Sequence, residues 1–286
     1  MKRISRVPGL RRSMTRLWNS YEHLKFSLYN RWNLKSENWI SKIDPFQLYW
    51  VSPEVIKLPT SSTFNFITDS GKTCGGEWDK NTRNIKDDVY YRSFRQRFCS
   101  GDSWEQTPIY ENRRRKIQNG TDPRYATMAE FKEKLQLYED IYEKFEENGY
   151  LLQSELAEKE ETSLPGNGGR ALFPSLTDKT LMRHEIAVNI GRDGTFIRND
   201  GRHRLALALL TDLDEIPVRI VVRHTQWQAF RDRVAQAIDK SIEAGVPDED
   251  VPESVENRLD RELDDIFLGL DHPDLKIIFN RRLAGG

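Results

Sequence analysis

The sequence predicts an α/β (α+β) fold, a small mixed sheet with additional helices at both ends of the chain. Three observations predict it. Strand patterns at 185–190, 195–198 and 216–222 enclose a turn and an apolar helix start. Long helical periodicities flank them on either side. Seven Trp, ten Tyr and thirteen Phe in 286 residues supply the material of a packed core.

Taken in order, Leu10, Met14, Leu17, Tyr21, Leu24 and Leu28 recur at three- and four-residue steps, with Arg11, Arg12 and Arg16 on other faces. That spacing predicts an amphipathic helix whose stripe packs on the protein's own core. A basic, aromatic helix of this kind also suits an anionic membrane surface. Residues 54–58, after Ser52-Pro53, read as a strand, and 60–84, rich in Gly, Ser, Thr and Asn, as a loop. One or two helices are expected over 86–118. A longer helix spans 127–148, with Thr127 and Glu130 as a capping box and Gly149 as its stop. Residues 158–170 hold Pro165 and three glycines and predict a mobile loop. Next come a half-buried alternating strand at 185–190, an Asp193-Gly194 turn and a short strand at 195–198. A helix follows from Arg202 to Leu210, then a β-branched strand at 216–222 and a helix capped by Thr225 that runs to about Ile242. Three units are expected: a basic helical arm over 1–45, a sheet-bearing domain over 46–225 with a helical insertion around 86–156, and C-terminal helices with an acidic segment over 226–286.

Composition narrows the function classes. With 37% hydrophobic and 31% charged residues the chain is not composed like a disordered one. No run approaches the roughly 18 apolar residues that cross a bilayer, and the N-terminus lacks the apolar stretch of a secretory signal. Two cysteines, Cys74 and Cys99, make neither a disulfide framework nor a zinc site, so a reducing cytoplasm is the expected compartment. The net charge of −1 conceals an asymmetry. Residues 1–42 carry Lys2, Arg3, Arg6, Arg11, Arg12, Arg16, Lys25, Arg31, Lys35 and Lys42 against Glu22 and Glu37, whereas 243–271 are acidic. Solvated or mutually attracting ends explain this; a nucleic-acid-facing arm is the other use of such charge.

Chemistry concentrates at Asp200-Gly201-Arg202-His203-Arg204, on a strand-to-helix junction. Glycine lets a backbone approach an oxyanion, and the first turn of a helix offers free N–H groups. Arg204 offers a bidentate, permanent charge and His203 a shorter donor. Asp200 repels an anion, so it serves as a metal-side carboxylate, a base or a helix cap. An ordinary tight turn with surface charges is the alternative for the whole motif.

Residues 185–222, from Glu-Ile-Ala-Val-Asn-Ile through Asp-Gly-Arg-His-Arg to Ile-Pro-Val-Arg-Ile-Val-Val, resemble the second half of a ParB/sulfiredoxin-like domain. In that superfamily a strand pair feeds a Gly-x-x-Arg helix start that grips nucleotide phosphates, and the resemblance implies that Gly201, Arg202, His203 and Arg204 do so here. Sulfiredoxins place their catalytic cysteine where this chain has Arg202. ParB proteins show Gly-Glu-Arg-Arg, against Arg202 and His203 here. The free-serine-kinase branch shows Asp-Gly-His-His-Arg, matched at Asp200, Gly201, His203 and Arg204. That branch implies phosphoryl transfer from a nucleoside di- or triphosphate (ATP, ADP or CTP), with Mg²⁺, to a small-molecule or glycan hydroxyl, Asp200 lying near the reacting phosphate. A second carboxylate usually follows the domain's first strand. Thr60, Ser61 and Ser62 stand there instead, which leaves Glu77 and Asp79 of the Gly-Gly-Glu-Trp-Asp loop for the role, or for an ordinary surface turn. Arg223, His224 and Arg231 are candidates for a substrate's anionic group, or for a solvated helix start. Two other readings remain open: a ParB-like nucleic-acid-binding protein or nuclease, drawn from the basic arm and Arg113–Lys116, and a nucleotide-sensing regulator without chemistry.

Overall fold

The computed structural model describes residues 8–35, 40, 44–60, 64–158, 181–182 and 184–284. Helix α1 (Pro8–Lys35) leads to strands β1 (Leu48–Val51), β2 (Leu58–Pro59), β3 (Lys72–Cys74) and β4 (Thr82–Arg83). Helices α2 (Val89–Phe98), α3 (Pro108–Gln118), α4 (Met128–Asn148) and α5 (Gln153–Glu158) follow. Then come β5 (Ile186–Ile190), β6 (Phe196–Asp200), α6 (Arg202–Ala208), β7 (Ile216–His224), α7 (Thr225–Glu243), α8 (Val251–Leu263) and α9 (Pro273–Leu283).

The β-branched run of β7 makes the central strand, and all nine of its residues are buried. One edge of β7 pairs with β1 antiparallel at Ile216–Arg219 and with β3 parallel at Val222–His224. Its other edge takes β5 in parallel, and β6 joins β5 antiparallel, giving a mixed five-stranded sheet. Lys57 extends the sheet past β6: its N–H donates to the Phe196 carbonyl, and its own carbonyl accepts from Arg198 N–H, both at 2.8 Å. Strands β2 and β4 form a separate two-stranded ladder.

Alternation along β5 and β7 divides the core. Ile186, Val188, Ile190, Ile216, Val218 and Ile220 join a cluster that continues through α2–α4 and α6–α9, from Tyr49 to Phe279. Ala187, Val221 and Val222 form a second cluster with Phe64, Phe66, Cys74 and Trp78, Val222 leaving the alternation where the β5–β7 register shifts. Both faces of the sheet are therefore covered, which is why β5 is buried throughout and not half-buried as its alternation suggests.

Several sequence expectations change on folding. The 54–58 strand is a 3₁₀ turn at Pro53–Val55 followed by the short β2, and the sheet strand of this region is β1. Thr225 does not cap α7; His224 does, its side chain accepting from Gln226 N–H. The α1 stripe does not pack on the core. Tyr21, Leu24 and Leu28 are exposed, and the buried face carries Phe26, Asn30 and Asn33. Leu10, Met14 and Leu17 lie outside the described side chains, and 159–170 of the predicted loop outside the described residues. Thr127 caps α4 as expected, but the reciprocal half of the box falls one residue early, on Ala126 and not on Thr127. Thr127 accepts from Glu130 N–H at 3.2 Å, and the Glu130 carboxylate accepts from Ala126 N–H at 2.8 Å.

Candidate functional site

The Asp193-Gly194 turn returns β5 into β6, and β6 delivers Asp200 to the sheet end. Gly201 then adopts φ 86°, a left-handed conformation open to glycine at little cost. A Cβ there would lie 2.9 Å from Ile186 Cγ1 and 3.0 Å from Ile186 Cα, so a side chain has no room either. This bend turns the chain sharply into α6, whose residues Leu205–Ala208 are buried. Gly201 holds the N-cap position with no side-chain capping bond, so Asp200 is not the helix cap; it is exposed at the turn.

Against this turn lies a cavity of about 560 Å³. Asp200, Gly201, Arg202, His203 and Arg204 form one wall with Arg198 and His184. The helical insertion supplies the rest: Val89 and Tyr90 from α2, Ile109, Asn112, Arg113 and Lys116 from α3, Arg124 before α4, Lys134, Tyr138 and Ile141 from α4, and Gln153 from α5. Among the described residues seven of the lining are Lys or Arg, namely Arg113, Lys116, Arg124, Lys134, Arg198, Arg202 and Arg204, and the one lining carboxylate is Asp200.

Protein carboxylates outside the lining answer some of this charge. Arg113 donates to Asp122 at 2.8 Å and to the Tyr90 hydroxyl at 3.0 Å. Arg202 stands 3.7 Å from Asp88 and over the Tyr90 ring. Both terminal nitrogens of Arg204 are engaged, donating to Glu185 at 3.2 Å, to the Tyr150 hydroxyl at 2.9 Å and to the His184 carbonyl. Lys116, Arg124, Lys134 and Arg198 have no carboxylate partner among the described residues.

That excess charge appears in the titration of the lining groups. Burial, with Arg124 and Arg204 nearby, pulls the Lys134 amine down to about 8; it sits 4.8 Å over the Tyr138 ring. Burial and then Lys134, Arg124, Arg202 and Arg113 depress His203 to about 3, so its ring is neutral at pH 7. The His203 ring packs among Tyr90, Tyr138 and Phe94, and its Nε2 has no hydrogen-bond partner. Burial works likewise against the charge of Arg198, whose Nε is also without a partner. Half-buried cations at Lys134 and Arg198 and exposed ones at Lys116 and Arg124, without carboxylate partners among the described residues, fit a polyanion.

The remaining predicted site residues lie elsewhere. Glu77 and Asp79 do not line the cavity. Asp79 accepts from the Arg192 side chain at 2.8–2.9 Å and from Arg192 N–H at 2.8 Å, and Glu77 pairs with Lys80 and Arg192. They fasten the Gly-Gly-Glu-Trp-Asp loop to the β5–β6 turn and stand apart from the cavity at the far end of β6. Arg223 and Arg231 do not make a substrate pocket; both are buried on Asp274, with N–O distances of 2.7 and 3.1 Å. Tyr49 and Trp227 complete that internal network. His224 bonds the Gly76 carbonyl through Nε2 and caps α7 through its other nitrogen. The sequence reading missed Arg124, Lys134 and Arg198. A signal for one of them existed: Lys134 interrupts the apolar stripe Phe131, Leu135, Tyr138, Ile141 of α4.

No family model, curated protein or solved structure matches this chain.

Proposed function

We propose that this chain binds a nucleoside di- or triphosphate (ATP, ADP or CTP) in the cationic cavity at Asp200–Arg204 and transfers a phosphoryl group to a hydroxyl of a small molecule or glycan. The observation that supports it is the lining itself, with seven cations and one carboxylate around the Gly201 turn. Phosphoryl transfer needs little covalent help from a protein; it needs positioning and neutralisation of charge on the transferred group. Lys116, Arg124, Lys134 and Arg198 line the cavity and would supply that neutralisation. The strand–turn–strand–helix–strand order of β5, β6, α6 and β7 supports a ParB/sulfiredoxin-like core, with α2–α5 as an insertion that forms the opposite wall.

Magnesium commonly binds through one or two protein carboxylates plus substrate phosphates. Asp200 fits that pattern as a single protein ligand. Among the described residues no group of three or more His, Cys, Asp or Glu forms a metal cage. When bound with the nucleotide, the ion supplies further neutralisation of phosphate charge. Asp200 and the surrounding cations do the orienting.

Calorimetric titration of ATP, ADP and CTP tests binding, and turnover with hydroxyl acceptors tests chemistry. Arg198→Ala and Lys134→Ala are each expected to weaken binding about tenfold or more, since each removes a hydrogen bond to a charged group. Nucleotide affinity that is absent, or unchanged in both variants, removes the proposal. One observation favours a second reading, a nucleotide sensor: among the described residues Asp200 is the one carboxylate lining the cavity, Glu77 and Asp79 being fixed elsewhere by Arg192. Tight binding with no turnover across acceptors selects it.

A further inference from the structure

We propose that helix α1 is an amphipathic anchor that lays its exposed apolar stripe into an anionic lipid surface. The stripe consists of Tyr21, Leu24, Leu28 and Trp32, which are 55%, 57%, 57% and 77% exposed. Steps of three, four and four residues put them within about 80° of one another around the helix axis. A polypeptide surface rarely leaves four large apolar side chains in one line unless something covers them.

The opposite face fixes this orientation. Phe26 is fully buried, 5.3 Å from the Phe46 ring and beneath the Arg219 guanidinium at 5.1 Å. Asn33 donates to the Thr68 and Ser70 carbonyls at 3.1 and 3.0 Å. Held by Phe26 and Asn33, the helix cannot roll to bury its stripe against its own sheet.

Charge selects the occupant. Helix α1 carries Arg11, Arg12, Arg16, Lys25, Arg31 and Lys35 against Glu22. Arg31 and Lys35 are exposed, next to Leu28 and Trp32 in the last turns of the helix. Cations beside a Trp- and Tyr-bearing apolar stripe suit the headgroup region of an anionic bilayer, where the aromatic rings sit at the boundary. A second copy is less suited. Pairing α1 with α1 would bring like charges together, and the acidic segment after α7 exposes, among the described residues, only Leu268 as a large apolar side chain. No helix among the described residues is long and apolar enough to cross a membrane, so the contact lies on the surface.

The test uses the full chain and sedimentation with phosphatidylcholine vesicles, made with or without phosphatidylglycerol. The expected result is binding to the phosphatidylglycerol vesicles that weakens as salt rises. The triple variant Leu24→Glu, Leu28→Glu, Trp32→Glu should bind about tenfold or more weakly, with thermal unfolding unchanged because its sites are exposed. Arg31→Gln with Lys35→Gln should lose affinity for the anionic vesicles only. Three results would overturn the proposal: no sedimentation with anionic vesicles, equal binding to neutral ones, or a triple variant that sediments like the parent. A dimer in sedimentation velocity that the triple variant abolishes, without vesicle binding, would assign the stripe to a second copy instead.

Discussion

Arg204, whose place in the motif suggests a phosphate grip, spends its guanidinium on Glu185, 3.2 Å away across the base of the cavity. Its terminal nitrogens also donate to the Tyr150 hydroxyl and the His184 carbonyl, so the residue ties α6 to the chain between α4 and β5. Burial raises the Glu185 carboxyl against the pull of Arg204, which makes the pair dependent on both partners being present. Removing one side of a buried pair leaves the other uncompensated, at a cost of about 3–5 kcal/mol. Arg204→Ala should therefore lower the urea midpoint strongly at unchanged m-value, and Arg204→Lys should rescue little, because an ammonium cannot reproduce the fork. Full stability in Arg204→Ala, with polyphosphate binding lost, would return Arg204 to the ligand.

Gly201 makes a second demand on the fold. Its left-handed conformation costs an alanine about 1–2 kcal/mol, and the approach of Ile186 adds overlap with backbone that cannot yield. Gly245 also has positive φ, but nothing lies within 4 Å of a Cβ placed there. Gly245→Ala should thus show the conformational cost alone. Gly201→Ala should cost clearly more in thermal unfolding and weaken polyphosphate binding as the turn shifts. Equal losses in the two variants would mean that the close contact with Ile186 relaxes freely.

Lys134 offers a test that does not require the nucleotide to be identified. Its amine titrates at about 8 because burial, Arg124 and Arg204 disfavour its charge. A bound polyanion answers those charges and raises the amine, so binding must take up a proton where the free amine is largely neutral. At pH 8.5 roughly half a proton or more should be absorbed, read from calorimetry of a polyphosphate in buffers of different ionisation heat. The uptake should fade by pH 6.5 and vanish in Lys134→Met. Heats independent of buffer at pH 8.5 would show that the anion does not sense Lys134.

The β5–β6–α6–β7 order could be read from the chain because each of its signals is local. Asp193-Gly194 marks a turn, Asp200-Gly201 a bend, and the Ile-Pro-Val-Arg-Ile-Val-Val run a strand. The cavity could not be read that way, because its cations come from separate elements. The run Arg113–Lys116 looks like one basic patch, but helical geometry splits it. Arg113 and Lys116, three residues apart, line the cavity, whereas Arg114 and Arg115 pair with Glu111. Periodicity likewise gave α1 an apolar face and the expectation that it packs on the core, but the buried side proved to be the one with Phe26, Asn30 and Asn33, because shape and hydrogen bonding at the sheet decide which face docks.

Two neutral histidines should make the protein acid-sensitive well above the carboxylate range. His272 is buried between Phe196 and Trp227. Its Nδ1 accepts from Asp274 N–H and its Nε2 donates to the Gly194 carbonyl, so the neutral ring is satisfied and a second proton would break the Asp274 bond. Burial is the main cause holding His272 at about 4 and His203 at about 3, against 6.5 for a free imidazole. The unfolded chain then binds protons below pH 6.5 that the folded chain refuses, so stability is intact above that value and falls as the pH drops below it. At pH 5 each ring should cost about 2 kcal/mol. Chemical denaturation at pH 7, 6 and 5 should show the decline, and His203→Gln should remove about half of it. Saturating polyphosphate should also flatten it, by neutralising Lys134 and Arg124 beside the ring. A flat profile between pH 7 and 5, or an identical slope in His203→Gln, would mean that this imidazole already carries its proton in the fold. The cationic cavity would then be less desolvated than its geometry indicates.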